Sequence, residues 1–206
     1  MTNIIIIKLF NNSFNNLYKK KIIIYMSNYW NNNFLKHLQI DNVKIIFEVG
    51  ARYGNESIKL KKIFKNSIVH SFECNPNTID KCKKNLDNIN NIFFNNFGLG
   101  EKEDNLPFYS YIKNNDGASS LLKRIDFDKT QVQTGIIKIK TLENYTNDNK
   151  IQNIDLLCMD VQGYELNVLK GAGDFIKNIN FIIMEEPKPV INTSYLPNGV
   201  HSKYIN

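Results

Sequence analysis

A chain of 206 residues that is 42% hydrophobic and 12% aromatic is large enough for one globular domain with a full core. Its formal charge of +6 is carried almost wholly by scattered lysines, with Arg52 and Arg124 the only arginines. Nucleic-acid readers lean instead on the guanidinium fork, and heavy use of Asn, Ile, Lys, Phe and Tyr is what an A/T-rich coding sequence produces, so the basicity calls for no nucleic-acid partner.

Residues 1–25 open with MTNIIIIKLF and show no sustained period, which marks a low-complexity arm of weak specification. The apolar run is broken by Lys8 and then by asparagines, with no basic segment before it and no small-residue cleavage site after it. It therefore does not read as a secretion signal. Met26 is a second candidate start, opening a segment (26–42) in which Trp30, Phe34, Leu35 and Leu38 recur at helical spacing.

A regular alternation follows. VKIIFEV (43–49) is an apolar, β-branched run ending at Gly50, and NESIKLKKIF places Ile58, Leu60, Ile63 and Phe64 on a helical face. SIVHSFE (67–73) predicts a second strand, and Pro76 stands where the first turn of a helix can begin. NIFFNNFGL (91–99) predicts a third, FYSYI (108–112) a short one, and GIIKIKTL (135–142) alternates with a period of two. IDLLCMD (154–160) is the fourth main strand. GYELNVLKGAGDF predicts a helix ending at its glycines, with Leu166, Val168 and Leu169 toward the sheet. INFIIMEE (179–186) is the fifth strand, and 187–206 form an irregular tail. Strands alternating with helices through short links predict an α/β fold, a mainly parallel sheet with helices on both faces.

Cys74, Cys82 and Cys158 include no C-x-x-C pair, and no histidine stands at ligand spacing, which predicts neither a disulfide framework nor a metal site. No run approaches the ~20 apolar residues of a membrane span. The expectation is a soluble, cytoplasmic protein with no membrane contact. His70, inside the second strand, reads as a hydrogen-bonded core or face residue rather than a base.

Ligands of open α/β sheets bind beyond the carboxyl ends of the strands, where the strand order reverses. Those ends here carry Glu48 with Gly50, Glu73, Gly98, Asp160 and Glu186. Gly50 and Gly54 allow the first turn to pass close to a ligand. Glu73, 23 residues after Gly50, can accept both hydroxyls of a ribose. The glycines run G-x-x-x-G, so the tight pyrophosphate cradle of G-x-G-x-x-G is absent. That disfavours a nicotinamide-dependent oxidoreductase and suits a nucleoside with an amino group, such as S-adenosylmethionine.

In order and spacing, FEVGARYGNES, HSFECNPNTIDKCKKNL, NNFGLGEKEDNLPFYSY, GASSL, IKTLENY and IDLLCMDVQGYELNVLKGA resemble the FkbM family of S-adenosylmethionine-dependent methyltransferases. The resemblance spans about 43–186 and implies a Rossmann-like class I methyltransferase fold. It implies a cofactor loop of Glu48, Gly50, Ala51, Arg52, Tyr53 and Gly54, and a ribose carboxylate at Glu73 flanked by Cys74 and Asn75. Asn96, Phe97, Gly98 and Leu99 would form the adenine-side loop. Asp160 and Gln162 would lie where cofactor and acceptor meet, with Ser119, Ser120 and Glu165 toward the acceptor, a hydroxyl of a sugar or small metabolite.

Asp160 is the expected base or orienting group, with Glu186 second. The pattern departs from the family at its end, because 187–206 are too short and too rich in Pro, Asn and Gly to supply the last two strands. The fifth strand is then expected to present a bare apolar edge. A truncated, catalytically impaired remnant, a homodimer covering that edge and a working short form are the three alternatives.

Overall fold

The computed structural model describes residues 3–8, 35, 38, 40–111, 116–123 and 131–186. The elements are β1 (Asn3–Lys8), β2 (Ile45–Val49), α1 (Asn55–Ile63), β3 (Ile68–Phe72), α2 (Ile79–Leu86), β4 (Ile92–Asn95), β5 (Gly98–Leu99), β6 (Asp104–Tyr111), β7 (Gln131–Lys140), α3 (Leu142–Asp148), β8 (Ile154–Met159), α4 (Glu165–Lys170) and β9 (Ile179–Glu186).

The main sheet has the order β1-β9-β8-β2-β3-β4. From β9 to β4 its strands are parallel. The chain runs outward from β2 through β3 to β4, then returns to β8 on the other side of β2. The order therefore reverses between β2 and β8, and ligand crevices of such sheets open at that point.

Both faces of the central strands β2, β3 and β8 are buried, which is why they read as nearly unbroken apolar runs. Side chains alternate along each strand. Phe47, Leu157 and Ile182 join one core with α3, α4 and the 3-10 turn at Gly173–Asn178. Ile46, Leu156 and Ile183 join the other with Leu60 and Phe64 at α1 and its end, and with Leu38. Leu35 and Leu38 carry helical backbone, as their spacing predicts, whereas Trp30 and Phe34 lie outside the described residues.

Four expectations change. Residues 3–8 of the expected arm form β1, which pairs antiparallel with β9 from Asn3 opposite Glu186 to Lys8 opposite Phe181. The expected bare edge of the fifth strand is therefore covered, by residues from the other end of the chain. The single strand expected over 91–99 is two. β4 stays in the main sheet, while β5 crosses to a three-stranded sheet of order β5-β7-β6. The short strand expected at 108–112 starts earlier, at Asp104, and tolerates Pro107 because β6 is the edge of its sheet. Finally, α3 was not expected. Thr141 caps it, its side chain accepting the Asn144 N–H at 3.0 Å, and a Thr preceding an apolar-periodic turn was the available signal. The tail at 187–206 lies outside the described residues.

Candidate functional site

The turn after β2 is fixed by backbone bonds at its root. Both Gly50 and Ala51 donate N–H to the Phe72 carbonyl, at 2.9 and 3.0 Å, and Asp160 donates N–H to the Val49 carbonyl at 3.0 Å. The ends of β2, β3 and β8 are thereby tied together. Gly50 has φ +93°, and a Cβ placed there would lie 2.1 Å from the Asp160 carbonyl oxygen. Only glycine satisfies that approach.

Gly54 serves another purpose. It is the N-cap of α1, in the left-handed region, and packs against Leu86. It was expected to contact the cofactor and lines neither lobe of the cleft described next.

The cleft has two lobes that share Val49, Gly50, Arg52 and Asp160 as walls. The first lies over the ends of β3 and β5 and is lined by Glu73, Cys74, Asn75, Phe97, Gly98 and Leu99, with Ser119, Ser120 and Gln162 opposite in the chain. Exposed Asn96 is absent from its lining. The second lobe lies toward β9, lined by Glu48, Ala51, Tyr53, Glu56 and Glu185.

Glu73 is buried, and each of its oxygens is taken by a backbone donor. Oε2 accepts the Arg52 N–H at 2.5 Å and Oε1 the Asn75 N–H at 2.6 Å. Burial raises its carboxyl above the usual range, while those N–H groups oppose the rise. Each oxygen keeps lone-pair capacity for a hydroxyl. Asn75 is held in turn by its Oδ1, which accepts from the Asn77 N–H and the Ser110 hydroxyl.

Glu48 forms part of the second lobe. It accepts the Ser57 hydroxyl, and Ser57 Oγ also lies 2.6 Å from Ser71 Oγ. Burial pushes its carboxyl up to about 8. At neutral pH it holds a proton until a cation arrives to favour the ionised form.

Asp160 projects from the end of β8 and stays exposed, with Gln162 Nε2 donating to Oδ1 at 2.6 Å. Partial desolvation raises its carboxyl, against the Gln162 hydrogen bond and the Arg52 charge. Gln162 adopts φ +54° and lines the first lobe. Glu185 stands on the neighbouring strand. Its carboxyl is raised by burial and then by the charge of Asp160, with the nearby Gln162 amide opposing the rise.

Sequence reasoning placed the β9 acid at Glu186, whose side chain lies outside the described residues, and missed Glu185. The alternation of β9 carries the signal, because Ile183 shares its core with Ile46 and Cys158, the residues two before Glu48 and Asp160. Counting two onward from each gives Glu48, Asp160 and Glu185.

Glu165, expected toward the acceptor, lines neither lobe. It is buried at the start of α4, where Oε1 accepts the Val161 N–H at 3.1 Å, and burial raises its carboxyl to about 7. Its work is to hold the loop that carries Asp160 and Gln162.

A roomier groove of about 760 Å³ opens between β4 and the end of α3. Its histidine is not placed for catalysis. His70 Nδ1 lies 2.8 Å from the Tyr145 hydroxyl, stacks on Phe93, and is held neutral by burial, with its pKa lowered to about 4. Among the described residues no group of His, Cys, Asp and Glu could hold a metal ion, and no helix is long and apolar enough to cross a membrane.

A Rossmann-like sheet with a glycine turn after its first parallel strand, an anchored acid after the second and an exposed acid after the fourth has the layout of an α/β enzyme domain. Residues 48–194 match the methyltransferase FkbM domain, and the chain belongs to that family. It is 21% identical over 165 residues to the 2-O-methyltransferase NoeI of Sinorhizobium fredii, covering 74% of this chain and 67% of that protein. It is 24% identical over 154 residues to the hexuronic acid methyltransferase AglP of Haloferax volcanii, covering 71% and 59%. A third relative, methyltransferase 1 of Beauveria bassiana, is 23% identical over 145 residues, covering 63% and 58%.

Proposed function

We propose that the protein is an S-adenosylmethionine-dependent O-methyltransferase acting on a hydroxyl of a sugar. The observation that carries the donor half is Glu73, a buried carboxylate on the wall of the first lobe, held by two backbone N–H groups from two loops. A nucleoside fits this lobe on a second ground, the buried Ser119 hydroxyl in its wall, which has no hydrogen-bond partner among the described residues. The relatives' names, one a 2-O-methyltransferase and one a hexuronic acid methyltransferase, support the sugar hydroxyl.

In this reading Glu73 accepts the ribose hydroxyls, Phe97 and Leu99 border the base, and Glu48 faces the amino group of the methionyl end. When bound, S-adenosylmethionine supplies a sulfonium methyl that needs no further activation. The protein's share is to orient an acceptor oxygen and take its proton. Asp160 borders both lobes, so it stands where donor and acceptor meet, and its raised carboxyl is a better base than an ordinary aspartate. Gln162 restrains that carboxylate, and Glu185 beside it disfavours a second negative charge. Positioning can supply up to about 7–11 kcal/mol of the barrier, and a general base typically adds 10²- to 10⁴-fold.

The expected bare β9 edge was one ground for the alternative of a catalytically impaired remnant, and β1 covers that edge. The function is tested by offering the donor with a panel of neutral, amino and acidic sugars and locating new methyl groups by mass spectrometry. Methylation of a hydroxyl is expected. A protein that binds S-adenosylhomocysteine and methylates none of the panel would refute the sugar assignment.

A further inference from the structure

Two neighbouring serines have opposite fates. Ser120 spends its hydroxyl inside the protein: Oγ donates to the Gln162 carbonyl at 3.0 Å and accepts the Leu122 N–H at 3.1 Å. Its backbone exchanges hydrogen bonds with Tyr109. Residue 120 thus staples its loop to the turn that carries Gln162. Ser119 Oγ is equally shut off from solvent, yet it has no partner among the described residues.

An unpaired buried hydroxyl is unfavourable, and native folds retain few of them. The position of this one is informative. Ser119 lines the first lobe, with Glu73, Phe97 and Leu99, and is absent from the lining of the lobe that holds Glu185. The first lobe offers apolar walls at Phe72, Phe97 and Phe108 for a planar base and a carboxylate for vicinal hydroxyls.

We propose that Ser119 binds the methyl donor, its hydroxyl hydrogen-bonding the nucleoside half, and does not border the acceptor as the family resemblance implies. The proposal rests on the donor reading above. It divides the loop between Ser120, which builds the wall, and Ser119, which reads the ligand.

The test is calorimetric titration of wild type and Ser119→Ala with S-adenosylhomocysteine and with adenosine, alongside thermal melts and acceptor kinetics at saturating donor. Ser119→Ala is expected to weaken both ligands by the same factor, roughly 5- to 50-fold, and to leave the acceptor KM unchanged. Without ligand the variant is expected to melt no lower than wild type, because it loses an unpaired polar group. The rise in melting temperature on adding S-adenosylhomocysteine is expected to shrink.

Unchanged donor affinity overturns the proposal, and a raised acceptor KM beside it returns Ser119 to the acceptor. Weakened S-adenosylhomocysteine with unchanged adenosine also overturns it, as does a ligand-free melt well below wild type, which marks a structural role. A folded wild type that binds neither ligand refutes the donor reading itself, and this proposal with it.

Discussion

The two lobes of the cleft differ in how firmly their acids are held. In the first, Glu73 is buried, with both oxygens fixed by backbone donors, and the adjoining Gly50 turn is pressed against the Asp160 carbonyl. In the second, Glu48 is buried against the Ser57 hydroxyl, but Asp160 is exposed, held by one glutamine side chain, and Glu185 is half-buried on β9, whose outer neighbour is β1. A carboxylate anchored by backbone donors suits a ligand that is the same in every turnover, whereas an exposed carboxylate suits proton transfer from a variable acceptor. The comparison predicts that donor binding and methyl transfer separate by mutation.

The largest separation is expected from Asp160→Asn. It keeps the shape of the wall and removes the base, so methyl transfer should fall 10²- to 10⁴-fold while affinity for S-adenosylhomocysteine stays within about threefold. Full transfer by this variant would end the assignment of Asp160.

Gly50→Ala strikes the turn that walls both lobes instead. Its Cβ would meet the Asp160 carbonyl at 2.1 Å from a backbone at φ +93°, and denaturant unfolding should show a loss of about 3 kcal/mol or more. Wild-type stability in that variant would mean the turn is not held as described.

A smaller effect concerns pH. Glu48, with its carboxyl pushed to about 8, keeps in the folded chain a proton that the unfolded chain releases near 4.5. Stability of the ligand-free protein should therefore fall as pH rises from about 4.5 to about 8. Glu165, raised to about 7, adds to the same trend. Glu48→Gln keeps an acceptor for Ser57 and should flatten the decline by something on the order of 2 kcal/mol at pH 8. An unaltered slope in thermal melts across that window would show that Glu48 is ionised in the free protein.

Much of the sheet was legible because a parallel strand buried on both faces reads as an apolar run, as in IIFEV and IDLLCM. The same property hid the break at Asn96 and Phe97. Apolar residues continue on both sides of it, and only the third dimension shows β5 leaving for another sheet. β1 was hidden because an isoleucine run without alternation does not say which edge it will pair with.

Within the site, Glu48, Gly50, Glu73 and Asp160 were legible from their places at strand ends. Gly54 and Glu165 were not, since capping a helix and holding a loop leave the same residue types in the same order as touching a ligand.

The central claim is that the first lobe binds the nucleoside of a methyl donor through Glu73. Titrating S-adenosylhomocysteine into wild type and into Glu73→Ala, each checked as folded by a cooperative melt, tests it directly. Saturable binding to wild type and at least a tenfold loss in the variant are predicted, because two charge-assisted hydrogen bonds disappear. A folded wild type that does not bind, or a variant that binds equally tightly, would contradict it.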